Sequence, residues 1–149
     1  MSYTLVVVDV QKNFLKFCSL SIKRNISMAV KKAVENKAGI VFLEFKECGR
    51  TIKPLLNRVS NYERAFIEEK SFMDGSIKVK QVIRKNKLPS SKIKVVGVYT
   101  DYCVLRTVCG LSKKFPKSKI EVIENSCHCS YDKSKSINSM RALRNVSIK

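Results

Sequence analysis

The strongest constraint in this sequence is a rhythm in which short β-branched apolar runs take turns with segments whose apolar residues recur every three or four positions. Residues 5–8 form the first run, Leu-Val-Val-Val, closed by Asp9. A continuous apolar run that short suits a strand buried on both faces. Ile22, Ile26, Ala29, Val30, Ala33 and Val34 then share one helix face, and Gly39 follows as a stop. Residues 40–45 read as the next strand, and 51–61 as a helix that tolerates Pro54 in its first turn. The same logic predicts a strand over 65–68, a helix over 77–83, a strand over 93–98 and a helix over 102–114. A strand over 120–123, a helix over 133–144 and a closing strand over 146–148 complete the chain.

Alternation of this kind predicts an α/β fold: three layers, α/β/α, around a mainly parallel sheet of six strands joined by right-handed crossovers. At 149 residues and 44% hydrophobic composition, residues 1–149 are expected to form one domain with a full core. No stretch approaches the roughly 20 apolar residues of a membrane span, and the first twenty residues lack an export-signal pattern, so a soluble, cytoplasmic protein is expected.

The formal charge of +18, from 30 Lys and Arg against 12 Asp and Glu, would attract polyanions or an anionic small-molecule substrate. Its distribution argues against nucleic acid, because lysines lie on nearly every segment without the interleaved aromatics of a base-stacking platform. Six cysteines in a chain so rich in apolar runs are expected to be free thiols. Cys127-His128-Cys129 lacks a second ligand pair at zinc-site spacing, so no metal is expected. No glycine-rich phosphate loop occurs, and no cofactor is expected.

Catalytic groups in such sheets collect at the C-terminal ends of strands, beside the switch in strand order. Three ends carry candidates: Asp9, Lys70, and the segment Tyr99-Thr100-Asp101-Tyr102-Cys103. Cys103 opens a predicted helix directly after a strand, where unpaired N–H groups and the helix dipole favour an anionic sulfur. Asp9 and Lys70 would supply a base and a charge partner if neighbouring strands gather them. Each also has a plain structural reading: Asp9 as a turn cap, Lys70 as surface, Cys103 as core. The single histidine, His128, reads as a packed or surface residue, and Cys109 as packing.

The wording of two segments narrows these options. Leu5-Val6-Val7-Val8-Asp9-Val10-Gln11-Lys12-Asn13-Phe14 resembles the opening of the isochorismatase-like cysteine hydrolases. Val95-Val96-Gly97-Val98-Tyr99-Thr100-Asp101-Tyr102-Cys103-Val104, followed by Thr107, is similar to the nucleophile segment of that superfamily. The resemblance implies Cys103 as nucleophile, Asp9 as general base and Lys70 as the supporting cation. The stretch Lys70-Ser71-Phe72 is compressed relative to the family pattern, which keeps Lys78 and Lys80 open as substitutes. It also implies a cis peptide between Val98 and Tyr99, an oxyanion hole from the backbone N–H groups of Tyr99 and Cys103, and substrate contacts from Phe14, Tyr99 and Gln11. Homo-oligomers are expected by the same resemblance.

Departures from the family pattern bear on the substrate. Metal-dependent nicotinamidases carry Asp-x-His after the second strand, whereas residues 43–48 read Leu-Glu-Phe-Lys-Glu-Cys. A metal-independent hydrolase that cleaves a C–N bond in an amide, ureide or carbamoyl compound is therefore expected. The alternatives are a non-hydrolysing member that binds a small molecule or protein, and an isochorismatase-type vinyl ether hydrolase.

Overall fold

The computed structural model describes residues 2–149. Six strands alternate with five helices: β1 (Thr4–Val8), α1 (Leu20–Glu35), β2 (Gly39–Phe45), α2 (Lys53–Arg58), β3 (Ala65–Lys70), α3 (Ser76–Lys85), β4 (Lys92–Val98), α4 (Leu105–Lys114), β5 (Lys119–His128), α5 (Lys133–Arg141) and β6 (Val146–Ile148). The strands form one parallel sheet in the order β3-β2-β1-β4-β5-β6. Chain order reverses between β1 and β4, so the crevice beyond their C-terminal ends is where such a sheet presents a ligand site.

Alternate residues of each strand feed two cores. Val6 and Val8 of β1 with Val41 and Leu43 of β2 face α3, α4 and α5, through Val79, Val108, Leu111 and Met140. Leu5, Val7, Ile40 and Phe42 face α1 and α2 through Ile26, Val30, Ala33 and Leu55. The expected three-layer α/β/α class is thus the observed one, and its central strands are buried on both sides, as their unbroken apolar runs require.

Several boundaries differ from expectation for local physical reasons. Helix α1 starts earlier than the apolar face alone indicates, because Ser19 caps it by accepting a hydrogen bond from the Ile22 N–H at 3.2 Å. Its stop is Asn36 with Lys37 at φ 54°, while Gly39 already belongs to β2, where a Cβ would strike the Leu88 and Thr4 side chains. The helix expected over 51–61 contracts to α2. The helix expected from 102 begins as a π-turn, Thr100–Val104, that leads into α4. The strand expected over 120–123 runs on to His128, because a bulge lets Val95 pair with Val122 and Gly97 with Cys127. That bulge carries the strand past Glu124, Asn125 and Ser126, whose polarity masked it in the sequence.

All six cysteines are free thiols. No helix among the described residues is long and apolar enough to cross a membrane.

Candidate active site

Asp9 is the first residue beyond β1, and it turns sharply there with a left-handed φ of 50°. Its N–H still donates to the Leu43 carbonyl at 3.0 Å, so the strand's hydrogen-bond ladder fixes where the carboxylate leaves the sheet. Lys70 ends β3, two strands away, and is 3% exposed. Its side chain crosses the end of β2 with the ammonium 4.5 Å from the centroid of the Phe45 ring, and Nζ donates to Asp9 Oδ2 at 2.9 Å and to the Phe72 carbonyl at 3.1 Å. The pair is almost wholly removed from solvent, at 2% and 1% side-chain exposure. A surface ion pair is worth little, but here either charge alone would face the full desolvation cost, so each holds the other. Lys78 and Lys80 form no salt bridge among the described residues; Lys70 is the lysine that reaches Asp9.

Gln11 explains why Phe45 is in place to carry the lysine. Its side-chain oxygen accepts from the Phe45 N–H at 2.7 Å, and its amide nitrogen donates to the carbonyls of Phe45 at 3.0 Å and Gly49 at 2.6 Å. Fully buried, Gln11 spends its whole amide on backbone, so it aligns the ends of β1 and β2 and has no free group for a ligand.

The third group arrives from β4. Gly97 packs so tightly on the backbone of Val8 that a Cβ would overlap its carbonyl and amide, and its φ of 135° excludes other residues. The Val98–Tyr99 peptide is cis. The π-turn then brings Cys103 beneath the rim at 8% exposure. Its thiol is close enough to the Asp9 carboxylate and the Lys70 ammonium for both to act on its titration. Asp9 Oδ1 has no hydrogen-bond partner among the described residues, which leaves that oxygen available to accept a proton.

Electrostatics follow from burial. Desolvation raises the Asp9 carboxyl above its ordinary value, and Lys70 partly opposes that rise. Burial first, then the charge of Asp9, push the Cys103 thiol up to about 12. The anionic sulfur expected from a helix start is therefore not the resting state: the turn is buried and faces a carboxylate, and both effects outweigh the dipole.

Phe14 and Tyr99 meet edge to face, with centroids 5.9 Å apart, and the Tyr99 hydroxyl donates to the Phe14 carbonyl at 3.0 Å. His128 also packs against Tyr99, with centroids 5.7 Å apart, because the β5 bulge pairs it with Val98. Burial, the largest cause, and Lys133 lower its pKa, which favours a neutral ring. Sequence reasoning missed His128 at this rim, Phe45 beneath Lys70, and the part played by Thr107. The buried Thr107 hydroxyl accepts from the Gly75 N–H at 3.0 Å and donates to the Met73 carbonyl at 3.3 Å, tying the loop after Lys70 to the helix after Cys103. Among the described residues, no three His, Cys, Asp or Glu side chains group as metal ligands.

The sequence matches no protein-family model and no curated protein. Solved structures do match. The nicotinamidase from Staphylococcus aureus superposes with a TM-score of 0.83 at 18% identity, over 99% of this chain and 98% of that one. MAR1 ribonuclease from Caenorhabditis elegans gives 0.84 at 18%, over 99% and 77%. An isochorismatase-like hydrolase from Alkaliphilus metalliredigens gives 0.79 at 12%, over 99% and 95%. With the six parallel strands in this order and the crevice at the β1–β4 switch, the chain has the fold of the isochorismatase-like hydrolases.

Proposed function

We propose that the chain is a metal-independent cysteine hydrolase that cleaves a C–N bond in a small amide, ureide or carbamoyl compound. The observation that carries this reading is the buried contact of Lys70 Nζ with Asp9 Oδ2 at 2.9 Å, with the Cys103 thiol beside the same carboxylate. The nicotinamidase among the structural neighbours is itself an amide hydrolase, which supports the reaction class.

A thiol pushed up to about 12 stays protonated until substrate arrives. Asp9 then removes the S–H proton as the sulfur attacks the carbonyl carbon, so charge moves from carboxylate to substrate oxygen without a free thiolate. The N–H groups of Tyr99 and Cys103 receive that oxygen. Collapse breaks the C–N bond, Asp9 passes its proton to the leaving nitrogen, and a thioester remains on Cys103. Water, deprotonated by Asp9, attacks the thioester; the acid departs and the proton returns to sulfur. Lys70 keeps Asp9 able to act as a base despite its burial, because the ammonium opposes the desolvation that raises the carboxyl. Phe14 and Tyr99 contact the substrate in this reading, and the protein works as a homo-oligomer in the cytoplasm.

The test is a panel of small amides, ureides and carbamoyl compounds, assayed for ammonia release beside Cys103→Ala. Turnover by the parent and none by the variant is expected, and Cys103→Ala working at the parent rate would sink the mechanism. Including a homopolymeric RNA covers the activity named for the ribonuclease neighbour; RNA cleavage that survives Cys103→Ala would likewise replace this reading.

A further inference from the structure

One sizeable cavity lies apart from the triad. It measures about 640 Å³ and lies beside the loop that follows β1, lined by Lys12, Lys16 and Lys23 over a floor of Leu15, Ile52 and Pro54. No carboxylate lines it, and none of these lysines takes part in a salt bridge among the described residues. Helix α1 begins at the same place, and its first turn also lacks an acidic side chain. Three unpaired ammonium groups around one hollow repel one another, and the N-terminal dipole of a sixteen-residue helix adds to the positive potential.

Two further features describe what would fit. Phe17 is 81% exposed with the Lys16 ammonium 5.4 Å from its ring, and Leu20 is 61% exposed, so apolar surface lies open next to the cations. Exposed apolar surface rimmed by polar groups is one mark of a ligand-binding groove. The volume also exceeds what a bare inorganic anion would fill, and falls within the roughly 300–1,000 Å³ typical of sites for organic ligands.

We propose that this cavity binds a phosphate monoester with a flat aromatic body, of the size of a nucleoside monophosphate. The phosphate sits among Lys12, Lys16 and Lys23, where its charge of about −1.5 to −2 at neutral pH relieves their repulsion. The ring lies on Leu15, Ile52 and Pro54. This site shares no residue with the triad and does not depend on the hydrolase reading: the cavity can bind in a protein whose Cys103 is replaced.

Adenosine monophosphate is the probe, titrated calorimetrically into Cys103→Ala protein beside adenosine and inorganic phosphate. One-to-one binding is expected, about tenfold or more tighter than either half alone and weakening as salt screens the lysines. Lys16→Gln/Lys23→Gln, both on the surface segment, should weaken it about tenfold or more, with an unchanged melting temperature to confirm folding. Lys113→Gln/Lys117→Gln removes the same charge from α4 and the turn after it, with α4 on the other face of the sheet from α1, and should change affinity less than about twofold. The proposal is overturned if adenosine monophosphate fails to saturate, if it binds no better than phosphate, or if both double variants lose affinity equally. RNA binding that is indifferent to Lys16 and Lys23, with none of the monophosphate, overturns it too.

Discussion

Replacing Asp9 with Asn should destroy hydrolysis yet make Cys103 more reactive toward an alkylating reagent. In the folded protein, burial and then the Asp9 charge hold the thiol near 12, while Lys70 pulls in the other direction. Asp9→Asn removes the carboxylate's contribution and leaves the ammonium, formerly 2.9 Å from Asp9 Oδ2, free to favour the thiolate. A nearby charge moves a neighbour's pKa by about 1–3 units, so the thiolate fraction at pH 8 should rise about 10- to 1,000-fold. Nucleophilicity falls as basicity falls, with a Brønsted slope near 0.5, so the rate of alkylation should rise about 3- to 30-fold. The assay is iodoacetamide labelling at pH 8, followed by mass spectrometry of the Cys103 peptide so that the other five thiols do not interfere. Labelling that is equal or slower in Asp9→Asn, in a variant that still melts cooperatively, would show that Asp9 is not the group that keeps the sulfur protonated.

Other expectations draw on the same geometry. Desolvation already raises Asp9 above 3.8, and Lys70 restrains that rise, so Lys70→Met should move the acid limb of kcat/KM upward by about 1 unit or more. The sign is fixed because activity needs the carboxylate and is lost as pH falls through its pKa; an unmoved limb would remove Lys70 from the site. Thr107→Val strips a buried N–H and carbonyl of their shared hydroxyl, at a cost of about 1–3 kcal/mol and about 3–10 °C in Tm, whereas Thr107→Ser should recover most of it. Identical melting of Thr107→Val and the parent would refute the link. Gly97→Ala forces a Cβ into the Val8 backbone and should cost more than about 3 kcal/mol, seen as loss of soluble protein or a Tm drop beyond about 6 °C; a drop within 2 °C would mean the strands are not so close.

The order and type of the elements was written into local patterning. Runs such as Leu5 to Val8 have no polar face to turn to water, so they demand a sheet covered on both sides, and periodic segments such as that from Ile22 to Val34 supply the cover. The wording around Asp9 and Cys103 also pointed to the crevice, because both follow strands directly and strand ends are local features. What the chain alone left open was everything set by neighbours distant in sequence. Lys70 could have been a surface residue; only strand order lays it across Phe45 onto Asp9. The polarity of residues 124–126 hid the bulge that lifts His128 beside Tyr99. A helix start predicted an anionic sulfur, and burial beside a carboxylate reversed it. Periodicity reports which face of an element is apolar, but desolvation and charge pairing depend on which faces meet, and that is decided when the sheet assembles.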